Sequence, residues 1–209
     1  MNILGKSGDR WVYSPAVKDH FFHPQNLVDD LKNFNDKKYN GIGMVGSPAC
    51  GDMMKIWVTI DPKTDIVKEC KWQTFGCASA IASTSMLSVM VKGMAVDKAM
   101  KITPQDILKR LGGLPPRKVH CSVLGDKALR KAINDYFRQT KQYERIVVDG
   151  AVVVDPETKI TDKDIEEAVL EGADDMKKLQ QKLKVGIGNK AVYKKAEDLL
   201  AKYQEKYYG

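Results

Sequence analysis

Residues 53–77 read MMKIWVTIDPKTDIVKECKWQTFGC, and the changes of pattern inside them decide the fold. From Met53 to Ile60 the side chains alternate, with Met54, Ile56, Val58 and Ile60 on one face, which is the period of a strand laid on a core. Asp61-Pro62-Lys63-Thr64-Asp65 is turn chemistry. Ile66 to Phe75 then predicts the returning strand of an antiparallel pair. Cys70 shares its face with Ile66 and Trp72 and has no glycine beside it, so it reads as core packing.

After Gly76 the pattern changes to small residues, Ala78 to Ser85, followed by Met86, Leu87, Val89, Met90 and Val91. This predicts a buried helix whose N-terminus lies at Cys77. Upstream, Ser14-Pro15 predicts a short helix from Tyr13 to Phe22, a cap residue followed by proline at the first helical position. Residues 25–48, polar and rich in Gly and Asn, predict a loop leading to Cys50. Downstream, Thr103-Pro104 opens a helix that Gly112-Gly113 closes, and Gly125 to Thr140 predicts an amphipathic helix with Leu129, Ile133 and Phe137 on one side. Sheet first and helices after is an α+β pattern.

A Val-rich run between Lys141 and Asp155 predicts a strand or an ordered linker. Beyond it Thr161 caps a helix to Glu171, Asp174 starts another to Val185, and a third runs from Lys190 to Tyr207. The expected organisation is therefore a first domain over residues 1–145 and a small all-helical one over 146–209. Ile165, Val169, Met176, Leu179, Leu183, Leu199 and Leu200 would form the core of the second.

The chain of 209 residues is 43% apolar and 29% charged, and no apolar run approaches the roughly 20 residues of a membrane span. Its first residues, MNILGKSGDRWVYS, lack the apolar stretch of a secretion signal and the acid-free Arg/Ser run of a transit peptide. The cytoplasm is the expected compartment. In a reducing compartment the four cysteines are not expected to pair, so each is a buried small hydrophobe or a metal-binding or catalytic thiol. The net charge of +7 is concentrated between Lys101 and Arg145, where 11 Lys/Arg face 4 Asp/Glu. Such a segment steers an acidic partner. Aromatic residues occur only near its far end, at Tyr136, Phe137 and Tyr143, and are not spread among the basic ones as a nucleic-acid stacking surface would need, so no nucleic-acid partner is expected.

Three cysteines stand at the edges of elements. Cys50 lies in GSPACGD, where Gly51 permits close backbone approach and Asp52 can reach the same centre. Cys77 lies in FGCAS at a helix start, where positive potential favours the thiolate that binds metal or attacks sulfur. Cys121 follows His120 in PPRKVHCSV, near the charges of Arg117 and Lys118. No pair has the spacing of a zinc knuckle. Three thiolates with an Asp or His suit a zinc site as well as an iron site, and a persulfide-carrying sulfurtransferase would need only one thiol. No Ser-His-Asp set, phosphate loop or cofactor-lysine motif suggests other catalysis. His20 and His23, on or just after the first helix, are assigned no role.

At YSPAVKDHFFHPQN, GSPACGDMMKIWV, QTFGCASAIASTS, VKGMAVDKAM and GGLPPRKVHCSVLG the sequence resembles the IscU/NifU family of iron-sulfur cluster scaffolds, from Tyr13 to Thr140. The resemblance implies a three-stranded antiparallel sheet covered by helices, and a scaffold rather than an enzyme. It implies that Cys50, Cys77 and Cys121 hold a 2Fe-2S cluster, with Asp52 or His120 completing the set; zinc, which the same residues suit, could stand in for it in isolated protein. Implied partners are a cysteine desulfurase as sulfur donor and acceptor apoproteins, with a homodimer as a further expectation. A fourth ligand harder than thiolate leaves one exchangeable corner, which suits handover. Leu114 to Lys118, LPPRK, resembles the LPPVK site of an ATP-driven chaperone, but Arg117 replaces the valine, which speaks against chaperone dependence. ITDKDIEEAVLEGA and KVGIGNKAVYKKAEDLL resemble the central, BFD-like ferredoxin domain of the NifU branch. Asn189 and Val192 stand where that domain has a Cys-x-x-Cys pair, so a degenerate, cysteine-free version is expected.

Overall fold

A computed structural model describes residues 3–4, 10–11, 13–47, 52–114, 123–148, 152–170 and 172–208. The chain divides into two compact units, residues 1–133 and 134–209.

In the first unit, two-residue strands β1 (Ile3–Leu4) and β2 (Arg10–Trp11) pair antiparallel. Helix α1 (Pro15–Phe22) starts as its sequence requires, with Ser14 Oγ accepting from the Val17 amide at 3.1 Å and proline in the first turn. Three strands follow, β3 (Gly41–Ser47), β4 (Asp52–Asp61) and β5 (Ile66–Thr74), antiparallel in the order β3-β4-β5. Met54, Ile56, Val58 and Ile60 are all at most 1% exposed, as the alternation predicts. Cys70 pairs with Val58 and is 2% exposed, a core side chain.

The expected loop over 25–48 is corrected at 41–47, because these residues are strand β3. Glycine is a poor strand former, and it is here because a helix needs the room. A Cβ on Gly43 would collide with the Ala128 carbonyl and the Ala132 amide, and one on Gly41 with the Ala132 carbonyl. Both belong to helix α5 (Val123–Gln139), which lies against this strand. Residues 27–40 form no strand of the sheet, with one 3-10 turn at Asp36–Lys38, and Phe34 meets the second face of β4 edge-on at Trp57, 4.8 Å between centroids.

Helix α2 (Ala78–Val91) buries Ser79, Ala82, Ser83, Ser85, Leu87 and Ser88. Its serines hold α1 and the chain after it: Ser85 Oγ is 2.7 Å from His20 Nδ1 and accepts from the Gln25 amide at 2.8 Å, while Asn26 Nδ2 donates to Ser88 Oγ at 3.0 Å. Burial holds the His20 imidazole below its ordinary pKa. A short helix, α3 (Val96–Ala99), precedes α4 (Pro104–Leu111). Thr103 and Asp106 close a capping box on α4, and Gly112, at φ +72°, ends it in the left-handed conformation.

The second unit adds to its helices a small hairpin of β6 (Val153–Asp155) and β7 (Ile160–Thr161), the strand alternative for the Val-rich run. Helices α6 (Asp162–Leu170), α7 (Met176–Leu183) and α8 (Lys190–Tyr208) pack around Ile165, Val169, Met176, Leu179, Leu183 and Leu200, with Leu199 partly buried against them. Asp155 is buried and ties two turns together, accepting from the amides of Glu157 at 3.0 Å and Gly186 at 2.9 Å. Among the described residues no helix is long and apolar enough to cross a membrane.

Candidate functional site

Antiparallel pairing puts Ser47 opposite Asp52 and Met54 opposite Thr74, so the end of β3, the start of β4 and the end of β5 lie together at one end of the sheet. Helix α2 begins four residues after Thr74. The glycines locate α5 on the same axis. Gly41 meets Ala132 and Gly43 meets Ala128, so two residues of strand, about 6.6 Å, match four of helix, about 6 Å. Helix α5 therefore runs antiparallel to β3, and its first turn points to the end where Ser47 and Asp52 lie. Three element starts, those of β4, α2 and α5, converge on that end.

Cys77 stands at the cap position of α2 with extended backbone, φ −73° and ψ 170°, and its side chain makes no capping hydrogen bond. It is half-buried. The turn into it is held by Thr74, whose Oγ1 donates to the Met53 carbonyl at 2.6 Å and accepts from the Gly76 amide at 2.9 Å. The Phe75 amide adds a bond to the Met53 carbonyl at 3.2 Å. The start of β4 and the approach to Cys77 are thus one hydrogen-bonded unit. Nothing in the strand pattern singles out Thr74, since threonine is ordinary there; only its place three residues before a Gly-Cys helix start hints at the task.

Of the other expected site residues, Asp52 opens β4 with its backbone, while Cys50, His120 and Cys121 lie outside the described residues, as does the Leu114–Lys118 segment beyond Leu114. Among the described residues no three His, Cys, Asp or Glu side chains gather as a metal site. Cys70 is a different kind of thiol. Burial inside the sheet pushes it up to about 12, so it stays protonated and shielded. In the first turn of α5 Asp126 is also buried, and burial raises its carboxyl above the usual range although Arg130 lies 3.4 Å away.

A small antiparallel sheet whose open end gathers a cysteine-started helix and two further element starts defines an α+β protein with a candidate site at its sheet end. The chain belongs to the family of the NifU-like N terminal domain, which matches residues 12–143. It is 42% identical over 134 residues to the iron-sulfur cluster assembly scaffold protein IscU of Aquifex aeolicus, covering 63% of this chain and 80% of that one. The scaffold protein IscU 1 of Archaeoglobus fulgidus is 43% identical over 137 residues, 65% and 83% of the two chains. The nitrogen fixation protein NifU of Azotobacter chroococcum is 45% identical over 128 residues, 60% of this chain and 39% of that one. The solved structure of a candidate scaffold protein for the SUF system from Fervidobacterium islandicum AW-1 aligns with a TM-score of 0.43 at 19% identity, over 58% of this chain and 96% of that chain.

Proposed function

We propose that this protein is a scaffold on which iron-sulfur clusters are assembled and then passed on. The observation that carries the reading is the convergence of the starts of β4, α2 and α5 at one end of the sheet, because Cys50 is two residues before β4, Cys77 caps α2 and Cys121 is two residues before α5. Two residues of chain reach at most about 7 Å. Relatives named as cluster assembly scaffolds support it. The cargo is a 2Fe-2S cluster held by the three thiolates, with Asp52 or His120 as the weaker fourth ligand that lets it leave. Sulfur comes from a cysteine desulfurase, and the cluster goes to acceptor apoproteins in the cytoplasm. Arg117 in place of the valine of the LPPVK site speaks against a chaperone at Leu114–Lys118.

Residues 1–145 act as the scaffold domain and residues 146–209 as a cysteine-free form of a BFD-like ferredoxin domain that binds no cluster and dimerises the protein or docks a partner. In keeping with that, Asn189 is spent as a cap, its Oδ1 accepting from the amides of Ala191 at 3.1 Å and Val192 at 3.3 Å, while the Val192 side chain is buried in the unit's core.

Anaerobic incubation with iron, cysteine and a desulfurase, followed by visible absorption and by handover to an apo-ferredoxin, tests the reading. Charge-transfer bands that disappear on handover are expected. Protein that takes up zinc and no iron, or that carries persulfide without iron, would replace it with a zinc-binding or sulfurtransferase role.

A further inference from the structure

The end of α2 remote from Cys77 opens on a pocket of about 580 Å³, in the first unit, between the last turn of α2 and helices α3 and α4. Met90 comes thirteen residues after Cys77 along α2, about 20 Å along the axis. The apolar lining is Met90, Met94 and Ile102. Methionine is unbranched and polarizable, and it moulds to apolar side chains of varied shape.

The polar lining is one-sided. Lys98, Lys101, Lys109 and Arg110 face a single carboxylate, Asp106. That carboxylate is already committed to the α4 cap, its Oδ2 accepting from the Thr103 amide at 2.9 Å and the Thr103 hydroxyl at 2.7 Å. The cations lie on the segment where the chain's positive charge is concentrated or, for Lys98, just before it. A concave surface lined by one sign of charge attracts the other. No aromatic side chain lines the pocket, so it lacks the stacking platform of a nucleic-acid groove. A basic rim around a methionine floor is the complement of an acidic chain with one apolar side chain to bury.

We propose that this pocket docks an acidic segment of a partner protein, its carboxylates against Lys98, Lys101, Lys109 and Arg110 and one large apolar side chain between Met90 and Met94. A partner held there leaves Cys77 uncovered, because α2 stands between them. The pocket tethers a partner to the first unit without capping the sheet end. The inference is independent of what the cysteines hold.

The full-length protein, with its methionine methyls labelled with carbon-13, is titrated with a fluorescein-labelled peptide, Glu-Asp-Glu-Leu-Glu-Asp-Glu. Binding that moves the Met90 and Met94 signals and weakens with added salt is expected. Lys101→Glu with Arg110→Glu should weaken it at least tenfold and leave iron loading unchanged. Lys98→Gln with Lys109→Gln is a milder pair, should the first fail to fold, and about threefold weakening is expected. Absence of binding to wild type overturns the proposal. So does equal affinity of the charge variants, or of a peptide with Gln for Glu and Asn for Asp, or with Ser for Leu. Tighter binding through the same residues by an oligo-dT strand or by phosphatidylserine vesicles overturns it in favour of those partners.

Discussion

Two helix starts in this molecule use the same position in opposite ways. At α8 the cap is Asn189, whose side chain accepts two backbone amides. At α2 the cap is Cys77, whose backbone has the extended conformation a cap requires but whose side chain caps nothing. The first start is built for stability. The second gives up that bond and keeps a thiol at the positive end of a helix, beside a turn that Thr74 makes rigid. A helix start can serve the fold or the chemistry, and the residue at the cap records which.

The largest expected effect breaks the frame that brings the element starts together. Gly43→Val drives a side chain into the backbone of α5 and should cost about 1–3 kcal/mol, read from urea unfolding. An unchanged midpoint would mean that β3 and α5 are not in contact in solution. Thr74→Val removes two hydrogen bonds beside Cys77 and should cost about 1–2 kcal/mol. It should also slow cluster formation while leaving the iron bound at saturation unchanged; normal kinetics would deny Thr74 a positioning role.

The two caps themselves should move in opposite directions. Cys77→Ser supplies the missing cap and should raise stability by about 1 kcal/mol, whereas Asn189→Ala should lower it by about as much. Thermal unfolding of both variants without iron is the check, and shifts of the same sign would sink the contrast. The smallest effect is on pH dependence. Burial raises the folded-state pKa of Asp126, so the native state holds a proton that the unfolded chain has lost, starting from the ordinary Asp value near 3.9. Stability is full below that value and falls as pH rises through the folded-state value. Asp126→Asn should flatten this decline, and an unchanged slope would assign it to another group.

Much of this was legible in the sequence because the signals were local. The caps at Ser14, Thr103 and Cys77, the stop at Gly112 and the alternation from Met54 to Ile60 each depend on neighbours in the chain. Strand β3 was not legible. Its glycines answer to α5, some 85 residues away in the sequence, and a residue chosen for what it must not touch leaves no periodicity. The short helix α3 and the two-residue strand β7 are too brief to set up a period of their own, whereas β6 showed in the Val-rich run as one of two readings. The same division holds at the site. Cys77 could be placed at a helix start from FGCAS alone, and Cys70 in the core from its strand register. The lock made by Thr74 depends on a carbonyl across the sheet and had no local signal.

The most direct measurement is the iron bound after anaerobic reconstitution by the wild type and by four variants, Cys50→Ser, Cys70→Ser, Cys77→Ser and Cys121→Ser. A site drawn from three element starts predicts that Cys50→Ser, Cys77→Ser and Cys121→Ser each lose the cluster, while Cys70→Ser keeps it, its thiol being buried and protonated. Loss of iron in Cys70→Ser together with full loading of Cys77→Ser would contradict the account.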